Sequence, residues 1–295
     1  MQNRHWHANA NAVDPRSARG WRLRAARAWR TTGTGLCFVG YASLGWLAGI
    51  TILPLLMLWP GSAADRQRRI RAFVAGSFRA LLGAIALLRL GRVEVEGTHW
   101  LREAGGKLLV ANHPMYLDVV ALVGQLPQAD CVVKQAMWRN RFYRRFVRAI
   151  GYIGNADSVS LMHACVERLR DGHSLILFPE GTRSTPGETL RFHRSAAQIA
   201  VRGDCRILPV VIHCEPLALG KHQAWHEVGD RPWRLRLQIG PPRSLAQLGH
   251  RPDMPPAVAA RHVNRALETL FRERLAAAAD EAADDGSLSV AGEAA

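Results

Sequence analysis

Lys107-Leu108-Leu109-Val110-Ala111-Asn112-His113-Pro114-Met115-Tyr116-Leu117-Asp118 reads as a buried strand that halts at a proline and restarts as a helix. A second stretch, Ser174-Leu175-Ile176-Leu177-Phe178-Pro179-Glu180-Gly181-Thr182-Arg183-Ser184, repeats the arrangement further along the chain. In each, a short apolar run bounded by Pro or Gly gives way to polar, chemically active side chains. An unbroken helix turns about 100° per residue, so residues five apart diverge by roughly 140°. His113 and Asp118 therefore meet only if the chain bends between them, and Pro114 supplies the bend. His113 then stands at a strand end and Asp118 in the first turn of the next helix, a base beside its orienting carboxylate.

Working outward, strand-like pieces recur at Val93–Glu96, Cys131–Lys134, Leu175–Phe178, Ile207–His213 and Arg234–Ile239. Helical patterns fall near Leu117–Gly124, Arg139–Ile150, Ser158–Arg170, Ser195–Arg202 and Ala257–Ala279. Strands alternating with helices predict an α/β fold, a mixed, largely parallel sheet flanked by helices. Ligands bind such sheets beyond the carboxyl ends of strands, where both motifs lie.

The chain of 295 residues carries a net charge of +15, almost wholly from arginine, since Lys107, Lys134 and Lys221 are the only lysines. Such an excess calls for an anionic partner, nucleic acid or a phospholipid surface. The leader decides for lipid. Residues 1–30 form a basic arm with Arg16, Arg19, Arg22, Arg24, Arg27 and Arg30 interleaved with Trp21 and Trp29, and no charge follows from Thr31 to Trp59. That run exceeds the roughly 20 residues that span a bilayer core, and no cleavage site marks it as a signal peptide. The basic segment Arg66–Arg71 then puts equal charge on the far side, which places both flanks in the cytoplasm. Residues 31–90 are thus expected to form a membrane-associated helical hairpin or a single anchor. Residues 91–275 form the α/β domain on the cytoplasmic face of the cell's inner membrane. Residues 276–295, Ala-rich and acidic, read as a frayed helix end and disordered tail.

The two motifs together resemble the PlsC-like family of glycerolipid acyltransferases, the 1-acylglycerol-3-phosphate O-acyltransferases, over about Val93 to Pro216. The resemblance implies the glycerolipid acyltransferase fold and transfer of a fatty acyl group from acyl-CoA or acyl carrier protein to a lysolipid hydroxyl. It implies His113 as general base and Asp118 as its partner, with the acceptor's glycerol phosphate held by Glu180, Gly181 and Arg183. Asn112 and Thr182 complete the motifs as substrate-binding residues. Glu180 could instead orient Arg183 or a backbone amide. No metal or organic cofactor is implied beyond the thioester donor, and the histidines lack H-E-x-x-H spacing.

The chain departs from the family pattern at two places. Gly151–Ser158 lacks the usual phosphate-binding Arg, and the segment after the second motif reads Arg191-Phe192-His193-Arg194-Ser195. Lys134, Arg191 or Arg194 could restore the charge; equally, the acceptor could be an amino-acid lipid, a polyene or another hydroxylated lipid. A catalytically silent lipid-binding module is the remaining alternative. The run Trp138–Arg148 alternates Arg with aromatics at helical spacing. It suits anionic membrane lipids, an acidic acyl carrier protein, or a solvated face packed by Phe142 and Phe146. Five scattered cysteines read as reduced thiols.

Overall fold

The computed structural model describes residues 18–102, 106–134, 141–155, 157–185 and 188–292. Its centre is one seven-stranded sheet in the order β1-β7-β6-β2-β5-β3-β4. The strands are β1 (Gly91–Glu96), β2 (Leu108–Ala111), β3 (Asp130–Lys134), β4 (Ile153–Asn155), β5 (Leu175–Leu177), β6 (Ile207–Glu215) and β7 (Trp233–Ile239). All pairings are parallel except β6 with β7. Six strands fall where the alternation predicts them. β4, three residues long, is too short to carry a periodic signal.

The central strands are apolar throughout because both sheet faces are covered. Successive side chains point to opposite faces. Leu109, Ala111, Ile176, Leu208 and Val210 enter one core, and Leu108, Val110, Leu175, Leu177 and Ile207 the other. The first core lies under α3 (Ala63–Leu87) and α5 (Asp118–Gln125); the second under α7 (Ser158–Arg170), α8 (Ser195–Gly203) and α9 (Pro256–Gly292). A short α4 (His99–Arg102) and α6 (Arg141–Ile150) complete the layer. Strand β7, between edge strand β1 and β6, alternates buried Trp233, Leu235, Leu237 and Ile239 with half-buried Arg234, Arg236 and Gln238, the pattern of a strand covered on one face.

The leader folds as α1 (Ala18–Ile50), α2 (Ile52–Leu58) and α3, so the arm from Ala18 and the apolar run are one helix rather than two segments. Pro54 accounts for the break at Thr51, since it cannot donate to the Ile50 carbonyl. The chain reverses at Pro60–Gly61. Ser62 then caps α3 in a reciprocal box with Asp65: the Asp65 N–H donates to Ser62 Oγ at 3.1 Å and the Ser62 N–H to Asp65 Oδ2 at 3.1 Å. Tyr41 Oη and Ser77 Oγ, 3.1 Å apart, tie α1 to α3. Two helical stretches, Gly20–Leu58 and Ala63–Leu87, are long and apolar enough to cross a bilayer.

Helix α9 continues through Gly292, and alanine, which dominates its last turns, has the highest helix propensity of any residue. Helix α3 packs against the α/β domain that follows it. Ile70, Ala75, Leu81 and Ile85 of α3 are buried, and Arg71 crosses into the sheet layer. The Arg71 guanidinium pairs with Asp130 and donates to the carbonyls of Ile150 and Gln128, both at 2.7 Å, while Arg168 Nε lies 2.9 Å from the same carboxylate. Phe146 of α6 packs on α1 so closely at Gly49 that a Cβ there would lie 2.6 Å from its ring. Part of the arginine–aromatic run is therefore core against the hairpin; Trp138, Arg139 and Asn140 lie outside the described residues.

Candidate active site

Strand β2 ends at Ala111, and the next residue locks the sheet rather than facing a ligand. Asn112 Nδ2 donates to the Ile212 carbonyl and its Oδ1 accepts the Ile212 N–H, each at 2.7 Å. Both ends of the amide are spent on β6 and the side chain is buried. Asn112 thereby continues the β2–β6 ladder beyond the end of β2.

The bend at Pro114 carries the chain into α5. Asp118 enters that helix's first turn with no exposed surface, and its Oδ2 accepts both the Met115 N–H and His113 Nδ1, each at 2.9 Å. Burial pushes the carboxyl up to about 6, against the pull of the His113 and Met115 hydrogen bonds. With Nδ1 committed to the carboxylate as donor, the imidazole keeps Nε2 as its free acceptor. Phe178 supports the ring from β5's end, with centroids 4.6 Å apart.

The second motif is bolted to the first. Glu180 Oε1 accepts the His113 backbone N–H and the Ser184 hydroxyl, each at 2.9 Å, and the Ser184 N–H donates to the His113 carbonyl at 2.7 Å. Burial raises the Glu180 carboxyl above its usual range. Glu180 thus holds the His113 backbone amide, as the alternative role allows. Gly181 sits at φ +67°, a left-handed conformation that favours glycine. Its face meets His193, whose N–H donates to the Pro179 carbonyl at 2.8 Å.

Arg183 is half-buried and divided in its commitments. Its Nη1 donates to the carbonyls of Leu219 and Gly220, both at 2.8 Å, and its guanidinium stands 6.0 Å from the centroid of exposed Tyr116. Nε and Nη2 of the fork have no hydrogen-bond partner among the described residues. Beside it, Lys221 Nζ reaches Thr185 Oγ1 at 3.4 Å. Sequence reading passed over Lys221 and Tyr116. Their rarity in composition, one of three lysines and one of four tyrosines, is the only signal that singles them out.

Thr182, Arg191 and Arg194 are exposed, and no hydrogen bond or ion pair joins them to His113, Asp118 or Arg183 among the described residues. Lys134 closes β3 opposite Asn155, its side chain outside the described residues. The segment lacking the expected Arg forms β4 and the cap of α7, where Asp157 Oδ1 accepts the N–H groups of Val159 and Ser160 at 3.1 and 2.8 Å.

A largely parallel sheet with a His–Asp pair at one strand end, bonded to an E-G-T-R turn at the neighbouring strand's end, defines an acyltransferase-type α/β domain. The Acyltransferase family profile matches residues 92–213. A 1-acyl-sn-glycerol-3-phosphate acyltransferase of Helicobacter pylori is 34% identical over 117 residues, 37% of this chain and 49% of that protein. The alpha form from Ovis aries is 27% identical over 240 residues, 78% of this chain and 77% of that one. The match thus spans about half the length of the bacterial relative and more of the mammalian one. The crystal structure of the 1-acyl-sn-glycerophosphate acyltransferase PlsC from Thermotoga maritima superposes with a TM-score of 0.60 at 22% identity, covering 83% of this chain and 97% of that one. Residues 92–213 thus carry an Acyltransferase domain, and the chain is similar to PlsC-like glycerolipid acyltransferases.

Proposed function

We propose that the protein is a membrane-associated O-acyltransferase that moves a fatty acyl group from acyl-CoA or acyl carrier protein to the hydroxyl of a lysophospholipid such as 1-acylglycerol-3-phosphate. The observation that carries the reading is the 2.9 Å bond from His113 Nδ1 to buried Asp118, which leaves Nε2 to accept a proton. His113 Nε2 takes the acceptor's hydroxyl proton as its oxygen attacks the thioester carbonyl carbon. Asp118 fixes the tautomer and steadies the imidazolium, as the acid of a Ser-His-Asp triad does. The C–S bond then breaks, and the imidazolium returns its proton to the leaving thiolate. No covalent acyl-enzyme is required.

Arg183, through Nε and Nη2, and Lys221 hold the acceptor's phosphate, supplying the charge that the β4 segment lacks. The exposed apolar faces of α1 and α2, including Leu36, Val39, Leu44, Leu55 and Leu58, enter the bilayer, with the arginine-rich flanks on the cytoplasmic side of the inner membrane. The test incubates purified full chain with a labelled acyl thioester and a panel of lysolipids and other hydroxylated lipids, reading products by mass spectrometry. Acylated 1-acylglycerol-3-phosphate is expected from the wild type, and no product above background from His113→Ala, with expression and vesicle association unchanged. Turnover by His113→Ala would remove the proposed base; product only from unphosphorylated acceptors would move the substrate class.

A further inference from the structure

We infer that the turn at residues 217–223, in the β6–β7 connection, positions the acceptor's phosphate clamp, with Leu219 and Gln223 as the positioning residues that fix it. The inference deepens the acyl-transfer reading proposed above and rests on it. Arg183 Nη1 is held between two carbonyls of this turn, those of Leu219 and Gly220, both at 2.8 Å. Arg183 itself arrives from the far side of the site, on the turn after β5. A guanidinium is a rigid planar fork. With its Cα anchored on one side and Nη1 pinned on the other, the direction of Nε and Nη2 follows the two carbonyls.

Those carbonyls converge because Leu219 adopts φ +53°, a left-handed conformation that a leucine disfavours. Such a conformation persists only where its surroundings over-determine it, and it gathers at functional sites. Here the Leu219 carbonyl also accepts the Tyr116 N–H at 3.2 Å, from the bend between His113 and Asp118. Gln223 closes the turn with both ends of its amide. Its Oε1 accepts the Gly220 N–H at 2.9 Å and its Nε2 donates to the Leu217 carbonyl at 3.2 Å. No hydrogen bond joins the Gln223 side chain to His113, Asp118 or Arg183 among the described residues, so it acts through the turn. The same turn carries Lys221, whose Nζ reaches Thr185 Oγ1. Glu180 lies within electrostatic reach of Lys221, but its carboxylate is taken up by the His113 N–H and the Ser184 hydroxyl. Two cations with no carboxylate paired to either suit a phosphate monoester, and give a neutral hydroxylated lipid nothing. The turn therefore sets the preference between phosphorylated and unphosphorylated acceptors, apart from the chemistry at His113.

The test uses purified full chain in mild detergent, one acyl thioester as donor, and two acceptors, 1-oleoylglycerol-3-phosphate and 1-oleoylglycerol. The wild type is expected to favour the phosphorylated acceptor in kcat/KM. Gln223→Ala should narrow that preference roughly tenfold, chiefly through a higher KM for the phosphorylated acceptor, while the donor's KM moves less than about twofold. Leu219→Val, whose branched Cβ opposes the left-handed conformation, should narrow it likewise, and unbranched Leu219→Met should recover most of it. Thermal melts accompany each variant, so the result does not hang on one of them folding. An unchanged preference in a cooperatively melting Gln223→Ala or Leu219→Val would overturn the positioning role. So would an equal loss of activity on both acceptors, which is the mark of general damage. A wild type that acylates the two acceptors equally well would remove the phosphate clamp itself, and with it the substrate class proposed above.

Discussion

At the scale of single residues, the Asp118 carboxyl links chemistry to stability. Its pKa near 6 lies above the roughly 3.9 of an unfolded aspartate. The folded state therefore binds more protons than the unfolded between about pH 4 and 6, and stability from this group falls as pH rises through that window. Above it the buried anion is a standing cost of about 1–3 kcal/mol. Asp118→Asn should consequently raise the melting midpoint at pH 7.5 while abolishing acyl transfer. The imidazolium needs the ionised carboxylate, so kcat/KM should fall on the acid side with an apparent pKa near 6 that belongs to the pair. A pH–rate profile flat from pH 5 to 8, or a destabilised Asp118→Asn in thermal melts, would contradict that account. The pairing itself was legible in the sequence, because spacing and Pro114 together demand a bend. What Asn112 and Glu180 do was not. Their partners, Ile212 and the His113 amide, lie across the sheet and across the motifs, where spacing along the chain carries no information.

At the scale of elements, the joint between β2 and β5 depends on a backbone conformation as much as on side chains. Gly181 at φ +67° lets the turn after Pro179 bring Glu180 under His113. A methyl there would meet His193 Cδ2 at 3.3 Å in a conformation that L-residues disfavour. Gly181→Ala should cost about 1–2 kcal/mol in denaturant melts and lower kcat more than it raises KM, since it displaces the base's support. Unchanged kcat would show that the Glu180 bond does not position His113. Strand and helix order was legible because the central strands are unbroken apolar runs bounded by polar or turn residues, while β7 alternates cleanly between apolar and polar. β4 and α4 were not, being shorter than the window in which a period shows. The Lys221 loop was hidden for another reason: its place beside Arg183 is set by carbonyl contacts at Leu219 and Gly220, which any residue could make.

At the scale of the whole molecule, the leader and the catalytic domain share one core through α3. The sequence draws a boundary after residue 90 because hydropathy falls there, but hydropathy cannot tell a lipid-facing helix from one packed on a sheet. Arg71 decides the matter. It is buried, bonded to two carbonyls and paired with Asp130, which itself has no exposed surface. Removing Arg71 leaves Asp130 paired with Arg168 alone and two buried carbonyls without a donor, a loss of about 1–3 kcal/mol. A chain lacking residues 1–90 loses Arg71 together with Ile70, Ala75, Leu81 and Ile85, and uncovers α5 and β1. It should therefore show no cooperative unfolding transition and should aggregate rather than detach cleanly from membranes. A chain lacking residues 1–62 keeps α3 except for its Ser62 cap and otherwise gives up α1 and α2, many of whose apolar side chains are exposed. That shorter deletion should melt cooperatively by circular dichroism and remain soluble at high salt. Arg71→Met in the full chain should lower stability by the same few kcal/mol without moving vesicle association. If the 1–90 deletion instead melts as cooperatively as the 1–62 deletion, α3 belongs to the membrane anchor and the shared core is wrong.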